Sequence, residues 1–95
     1  VTALIYAVPN GGYRKPSEAV RLKAEGVKAG IPDINIDVPR RGFHGARIEM
    51  KKTDGKVSED QERIHKLLRE QGYYTVVCYS AREAIEETEY YFGKI

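Results

Sequence analysis

Two serines set the tightest limit on what this chain can fold into. Ser58-x-x-Gln61 and Ser80-x-x-Glu83 both have capping-box spacing, in which the serine caps a backbone N–H and the fourth residue reaches back. Each therefore opens a helix. The first is expected to run to about Gln71, with Gly72 as its stop signal. The second carries Ala81, Ala84, Ile85, Thr88, Tyr91 and Phe92 on one stripe, which predicts packing on a sheet. Residues 73 to 79, between them, are β-branched and aromatic, the composition of a central strand.

The first half supplies the other strands. Residues 3 to 8 read as a buried strand, stopped by Pro9 and turned at Asn10-Gly11-Gly12. Pro16 fits the first turn of a helix covering roughly 16 to 25, closed by Gly26. Residues 33 to 38 alternate polar and apolar until Pro39 ends them, a strand with Ile34, Ile36 and Val38 inward and Asp33 at its entry. Arg40 to Gly45 form a basic, glycine-bearing connection to a strand around 46 to 51. The order is strand, helix, strand, strand, helix, strand, helix. It predicts one domain over residues 1–95, a small α/β sandwich with a mixed central sheet flanked by helices.

Composition narrows the class. Charged residues at 32% and hydrophobic ones at 41% fit a soluble globular protein rather than a disordered or membrane chain. No apolar run approaches the ~20 residues of a membrane span, and no signal-peptide pattern opens the chain. Cys78, the single cysteine, excludes an intrachain disulfide framework, and its run Val76-Val77-Cys78-Tyr79 predicts a buried, inert thiol in a reducing cytoplasm. Net charge is only +2, but it is unevenly spread. Residues 1 to 58 hold 11 Lys/Arg against 6 Asp/Glu, and residues 59 to 95 hold 5 against 8. The positive half suits an anionic backbone, although an ordinary solvated surface explains it as well.

That half also holds the chemistry. Gly30-Ile31-Pro32-Asp33 puts a carboxylate at the mouth of one strand, and Ile48-Glu49-Met50-Lys51 puts Glu49 and Lys51 on one face of the next. Two carboxylates can hold a hard divalent cation, which polarises a phosphate and acidifies a bound water. A lysine can orient that water or stabilise charge on phosphate oxygens. Plainer readings stand beside these: a Pro-Asp turn for Asp33, and an exposed ion pair for Glu49 and Lys51. Asp37 competes with Asp33. Gln61 is the capping partner of Ser58, a group facing the metal site, or both. His44 sits in the arginine-rich loop within reach of phosphate, whereas His65 falls on a charged helix face and is expected in solvent. Asn10, Gly11, Gly12 and Arg14 could bring N–H groups and a guanidinium to a phosphate, or form just a turn. Lys28, Arg40, Arg41 and Lys52 are further candidates for sequence-independent DNA-backbone contact.

These residues resemble the virus-type replication-repair nuclease (VRR-NUC) domain. The resemblance is carried by Asn10-Gly11-Gly12-x-Arg14, the run from Leu22 to Asp33, Ile48-Glu49-Met50-Lys51, Gly55-Lys56-x-Ser58-x-x-Gln61 and Gly72-Tyr73. It spans essentially the whole chain in the expected order and is nearest the short stand-alone versions of phages and prophages. It implies the restriction-endonuclease-like PD-(D/E)xK fold. It also implies Mg²⁺ or Mn²⁺ held by Asp33, Glu49 and the Met50 carbonyl, with Lys51 on the nucleophilic water and Gln61 at a recurrent family position.

The expected activity is that of a metal-dependent endonuclease on branched DNA, similar to a Holliday-junction resolvase. It would act as a homodimer in the cytoplasm of a bacterial host and leave 5′-phosphate and 3′-hydroxyl ends. The alternatives are a flap or nicked-DNA nuclease of the same chemistry, or a non-catalytic DNA-binding module. Family members usually begin with a helix bearing a Glu and a Gln, whereas this chain starts at Val1, essentially in the first strand. If that helix contributes a carboxylate, the chain lacks it.

Overall fold

A computed structural model describes residues 2–9 and 29–93. After a short 3₁₀ turn at Thr2–Leu4 come β1 (Ile5–Ala7), β2 (Ile34–Ile36), β3 (Gly45–Met50), α1 (Glu59–Glu70), β4 (Tyr73–Cys78) and α2 (Ala81–Tyr91). The helix expected over 16 to 25 lies outside the described residues.

The four strands form one mixed sheet in the order β1-β2-β3-β4. β1 and β2 pair antiparallel, as do β2 and β3, while β3 and β4 run parallel from Gly45 beside Tyr73 to Met50 beside Cys78. A parallel pair needs a long crossover, and α1 supplies it. The β2–β3 connection is tight instead. Arg41 (φ 52°) and Gly42 (φ 82°) both take positive φ, the requirement of a type I′ turn, and Phe43 N–H donates to Arg40 C=O at 2.8 Å.

Alternation along the strands gives the sheet two unlike faces. Ile34, Ile36, Ala46 and Ile48 build the apolar face with Tyr74 and Val76, and Tyr91 and Ala84 of α2 cover it. Tyr91 seals this layer. Its hydroxyl donates to Val38 C=O at 2.6 Å and accepts Arg40 N–H at 3.1 Å, and its ring stacks on Tyr74. The opposite face carries Asp33, Asn35, Arg47, Glu49 and Thr75 and is turned toward α1.

Four expectations need correction. The first strand is not a buried run over 3 to 8: it spans only Ile5–Ala7, with Tyr6 and Ala7 exposed. β4 is not central: among the described residues it is the sheet edge. Its composition misleads because helices cover both of its faces, so it packs like an inner strand while leaving one edge unpaired. The predicted stripe of α2 is rotated. Ala84, Thr88, Tyr91 and Phe92 turn inward, but Ala81 is exposed and Ile85 is 60% exposed. Glu87 takes an inward place instead, accepting the Tyr74 hydroxyl at 2.6 Å. The second cap also departs from the box. Ser80 Oγ accepts Glu83 N–H, but the Glu83 carboxylate accepts from Tyr79 N–H, one residue earlier than the serine. The Ser58–Gln61 box is complete in both directions.

Candidate functional site

The register of β2 on β3 brings Asp33 and Glu49 face to face. Ile34 is opposite Ile48, so the preceding residue of β2 faces the following residue of β3. The Asp33 carboxylate anchors itself by accepting Met50 N–H at 2.7 Å, which holds it beside Glu49. Gly30 lets the segment leading into Asp33 pass close to α1. It has φ +86° and lies so close to α1 that a Cβ there would be 2.5 Å from the Asp60 carbonyl oxygen.

Glu49 is 2% exposed. Burial first, then the Asp33 hydrogen bond and charge, push its pKa up to about 8, against a smaller opposing pull from Lys51. Metal-free, Glu49 therefore holds its proton at neutral pH. Lys51, half-buried, follows on the same face. Two hard oxygen donors side by side are a donor set that a divalent cation can take. Among the described residues, no three His, Cys, Asp or Glu side chains converge as a ready metal cage, so further ligands would have to be backbone oxygens or water.

Sequence reasoning placed His65 wrongly. It is 3% exposed, and its Nε2 lies 3.3 Å from Glu49 Oε1. Burial first, then the charges of Arg69 and Lys51, hold its pKa below the ordinary histidine value, which favours neutral imidazole. The charged neighbours Glu62, Arg63 and Lys66 masked the signal. It was nonetheless present, since His65 follows Gln61 by four positions and precedes Leu68 by three, on the inward face.

The other candidates scatter. Gln61 sits one turn before His65, with its amide oxygen accepting Ser58 N–H at 2.9 Å. Asp37, the rival of Asp33, lies past the other end of β2, where its carboxylate accepts from the Tyr6 hydroxyl and Arg47. Lys52 is exposed just past β3. Arg40 and Arg41 lie at the far end of the β2–β3 hairpin, roughly 20 Å from Asp33 at the usual strand rise. Arg40 packs over Phe92, and Arg41 packs over Tyr90 and donates to its carbonyl at 2.7 Å. His44 is at that end too, against Gly72 and Tyr73. Asn10, Gly11, Gly12, Arg14 and Lys28 lie outside the described residues.

A mixed four-stranded sheet with helices on both faces, and an acidic pair followed by a lysine at one strand end, define a restriction-endonuclease-like α/β domain. Comparison with known proteins agrees. The sequence profile of the VRR-NUC domain matches residues 4–82. A solved structure of a VRR_NUC domain protein superposes with a TM-score of 0.79 at 33% identity, covering 94% of this chain and 67% of the other. No curated protein matches. The chain belongs to the VRR-NUC family, and its function is of the nuclease, DNA-processing type.

Proposed function

We propose that this chain is a metal-dependent DNA endonuclease that hydrolyses phosphodiester bonds in branched DNA, as Holliday-junction resolvases do. The observation that carries the reading is the pairing of half-buried Asp33, held by Met50 N–H, with buried Glu49, followed by Lys51 on the same face. Asp33, Glu49 and the Met50 carbonyl would hold the cation, Mg²⁺ or Mn²⁺. When bound it supplies charge neutralisation at the phosphate and a water of lowered pKa.

The chain's own groups do the rest. Met50 N–H fixes Asp33, so one carboxylate is in place before DNA arrives. To serve as a metal carboxylate, Glu49 would release its proton to solvent. Lys51 orients the attacking water and holds charge on the phosphate oxygens, and a 5′-phosphate and a 3′-hydroxyl result. Two such sites in a homodimer would allow paired cuts on opposite strands.

The test is cleavage of a labelled four-way junction beside flap, nicked and linear duplexes, in Mg²⁺, Mn²⁺ or EDTA. Symmetric, metal-dependent junction cutting is expected. Preferential cutting of flaps or nicks would keep the chemistry and change the substrate. Junction binding with no cutting of any DNA would leave a binding module.

A further inference from the structure

We propose that His65 is a positioning residue for Glu49, and through it for the divalent cation. This rests on the reading of Asp33 and Glu49 as metal carboxylates. Glu49 projects from the end of β3 between Asp33 and the apolar Val77 of β4, so the sheet offers it no free polar partner beyond Asp33, which is itself committed to Met50 N–H. The second grip on Glu49 comes from another layer. His65 stands on α1 with Nε2 3.3 Å from Oε1, and both side chains are 3% exposed. Both groups are almost fully buried, so the imidazole is placed to set which carboxylate orientation Glu49 keeps.

A carboxylate holding a cation can only accept from His65, so the working tautomer carries its proton on Nε2. One Glu49 oxygen is then occupied by a neutral donor and the other is left for the cation. An ammonium or guanidinium at this place would grip as well but would cancel the charge that the cation needs. The helix fixes the donor in turn. α1 begins at the complete Ser58–Gln61 capping box one turn before His65, and Arg69, one turn after, donates to Thr75 C=O of β4 at 2.8 Å. His65 is thereby fixed at the site by helix anchors on either side, the support that second-layer ligand partners give in metal sites.

The chemistry dictates the test. A glutamine amide places its N–H where Nε2 sits, whereas an asparagine amide reaches only to the Nδ1 position. Mn²⁺ binding is measured by calorimetry at one pH for the wild type, His65→Gln, His65→Asn, His65→Met and Glu49→Ala. His65→Gln should stay within a few-fold of wild-type affinity, while His65→Asn and His65→Met lose about 10–100-fold. In cleavage, the Asn and Met variants should lower kcat with KM for DNA unchanged.

Should His65→Met fail to fold, the Gln–Asn pair alone decides, because both are polar amides. Equal Mn²⁺ affinity in the wild type and His65→Asn overturns the proposal, and so does equal weakening in Gln and Asn. Loss of Mn²⁺ binding in Glu49→Ala beside unchanged binding in His65→Asn would sink His65 alone. Wild-type Mn²⁺ binding in Glu49→Ala would sink the metal site itself, and the role of His65 with it.

Discussion

Asp33 accepts the backbone N–H of Met50 at 2.7 Å, so the carboxylate at the mouth of β2 is fastened to the residue between Glu49 and Lys51. The aspartate thus has two tasks, bracing the strand end and offering an oxygen to a cation. Asp33→Asn keeps an oxygen for Met50 N–H and removes the charge. It should fold, bind junction DNA and cut at least 100-fold more slowly, a loss typical of removing one charge-stabilising group. Single-turnover cleavage beside a gel-shift assay checks this, and unchanged cutting would remove Asp33 from the site.

The acidic pair and His65 give the metal-free protein a directional pH dependence. Glu49 is raised from 4.5 to about 8, so its protonated form contributes stability that is complete below 4.5 and lost as pH climbs through 8. His65 is lowered from 6.5, so its contribution is present above 6.5 and lost as pH falls. Above 6.5 only the glutamate slope remains. In EDTA the protein should lose stability between pH 6.5 and 8, on the order of 2 kcal/mol at about 1.4 kcal/mol per pH unit. Thermal melts should show the decline in wild type and not in Glu49→Gln. Excess Mg²⁺ or Mn²⁺ should restore more at pH 8 than at pH 6.5.

Gly30 and Gly42 share a positive φ but differ in what surrounds them. A Cβ at Gly30 would meet the Asp60 carbonyl oxygen at 2.5 Å, whereas at Gly42 nothing lies within 4 Å. Gly42→Ala should therefore cost only the left-handed backbone penalty, about 1 kcal/mol. Gly30→Ala adds a backbone clash and should cost about 2 kcal/mol or more. Urea unfolding of the two variants provides the comparison, and equal midpoints would contradict the close approach.

Cys78 is 1% exposed, and burial, with Glu87 and Glu83 nearby, pushes its thiol up to about 11. A disulfide reagent at pH 8 should leave the native protein unmodified and label it completely once urea unfolds it. Fast labelling without denaturant would show that the layer beneath α2 opens readily.

How far the residues alone reached depends on whether their signals were local. The complete Ser58 box, the inward Ile34, Ile36 and Val38, and the buried Cys78 all follow from neighbours a few positions away, and the structure agrees with each. The edge position of β4 could not be read this way. Strand order is a long-range property, and residues sandwiched between two helices look the same at an edge or a centre. Ile85 and Glu87 exchanged roles because seating Tyr91 against Val38 decides the rotation of α2, and that contact spans 53 positions. His65 was lost among charged neighbours on α1, although its spacing from Gln61 and Leu68 was there to be read. The placement of Asp33 opposite Glu49 needed the ladder register, which is one residue out of step with the Arg40–Phe43 pairing at the turn and so could not be counted back from it.

The tight β2–β3 hairpin and the helical crossover that follows it also bear on how the site is assembled. Asp33 and Met50 are 17 positions apart, and Glu49 and His65 are 16 apart. Each contact closes only a short loop, and short loops close quickly and at small entropic cost. Every one of these groups precedes Tyr73 in the chain. The site's contacts thus lie within one stretch of sequence, and β4 and α2 add the layer that clamps it.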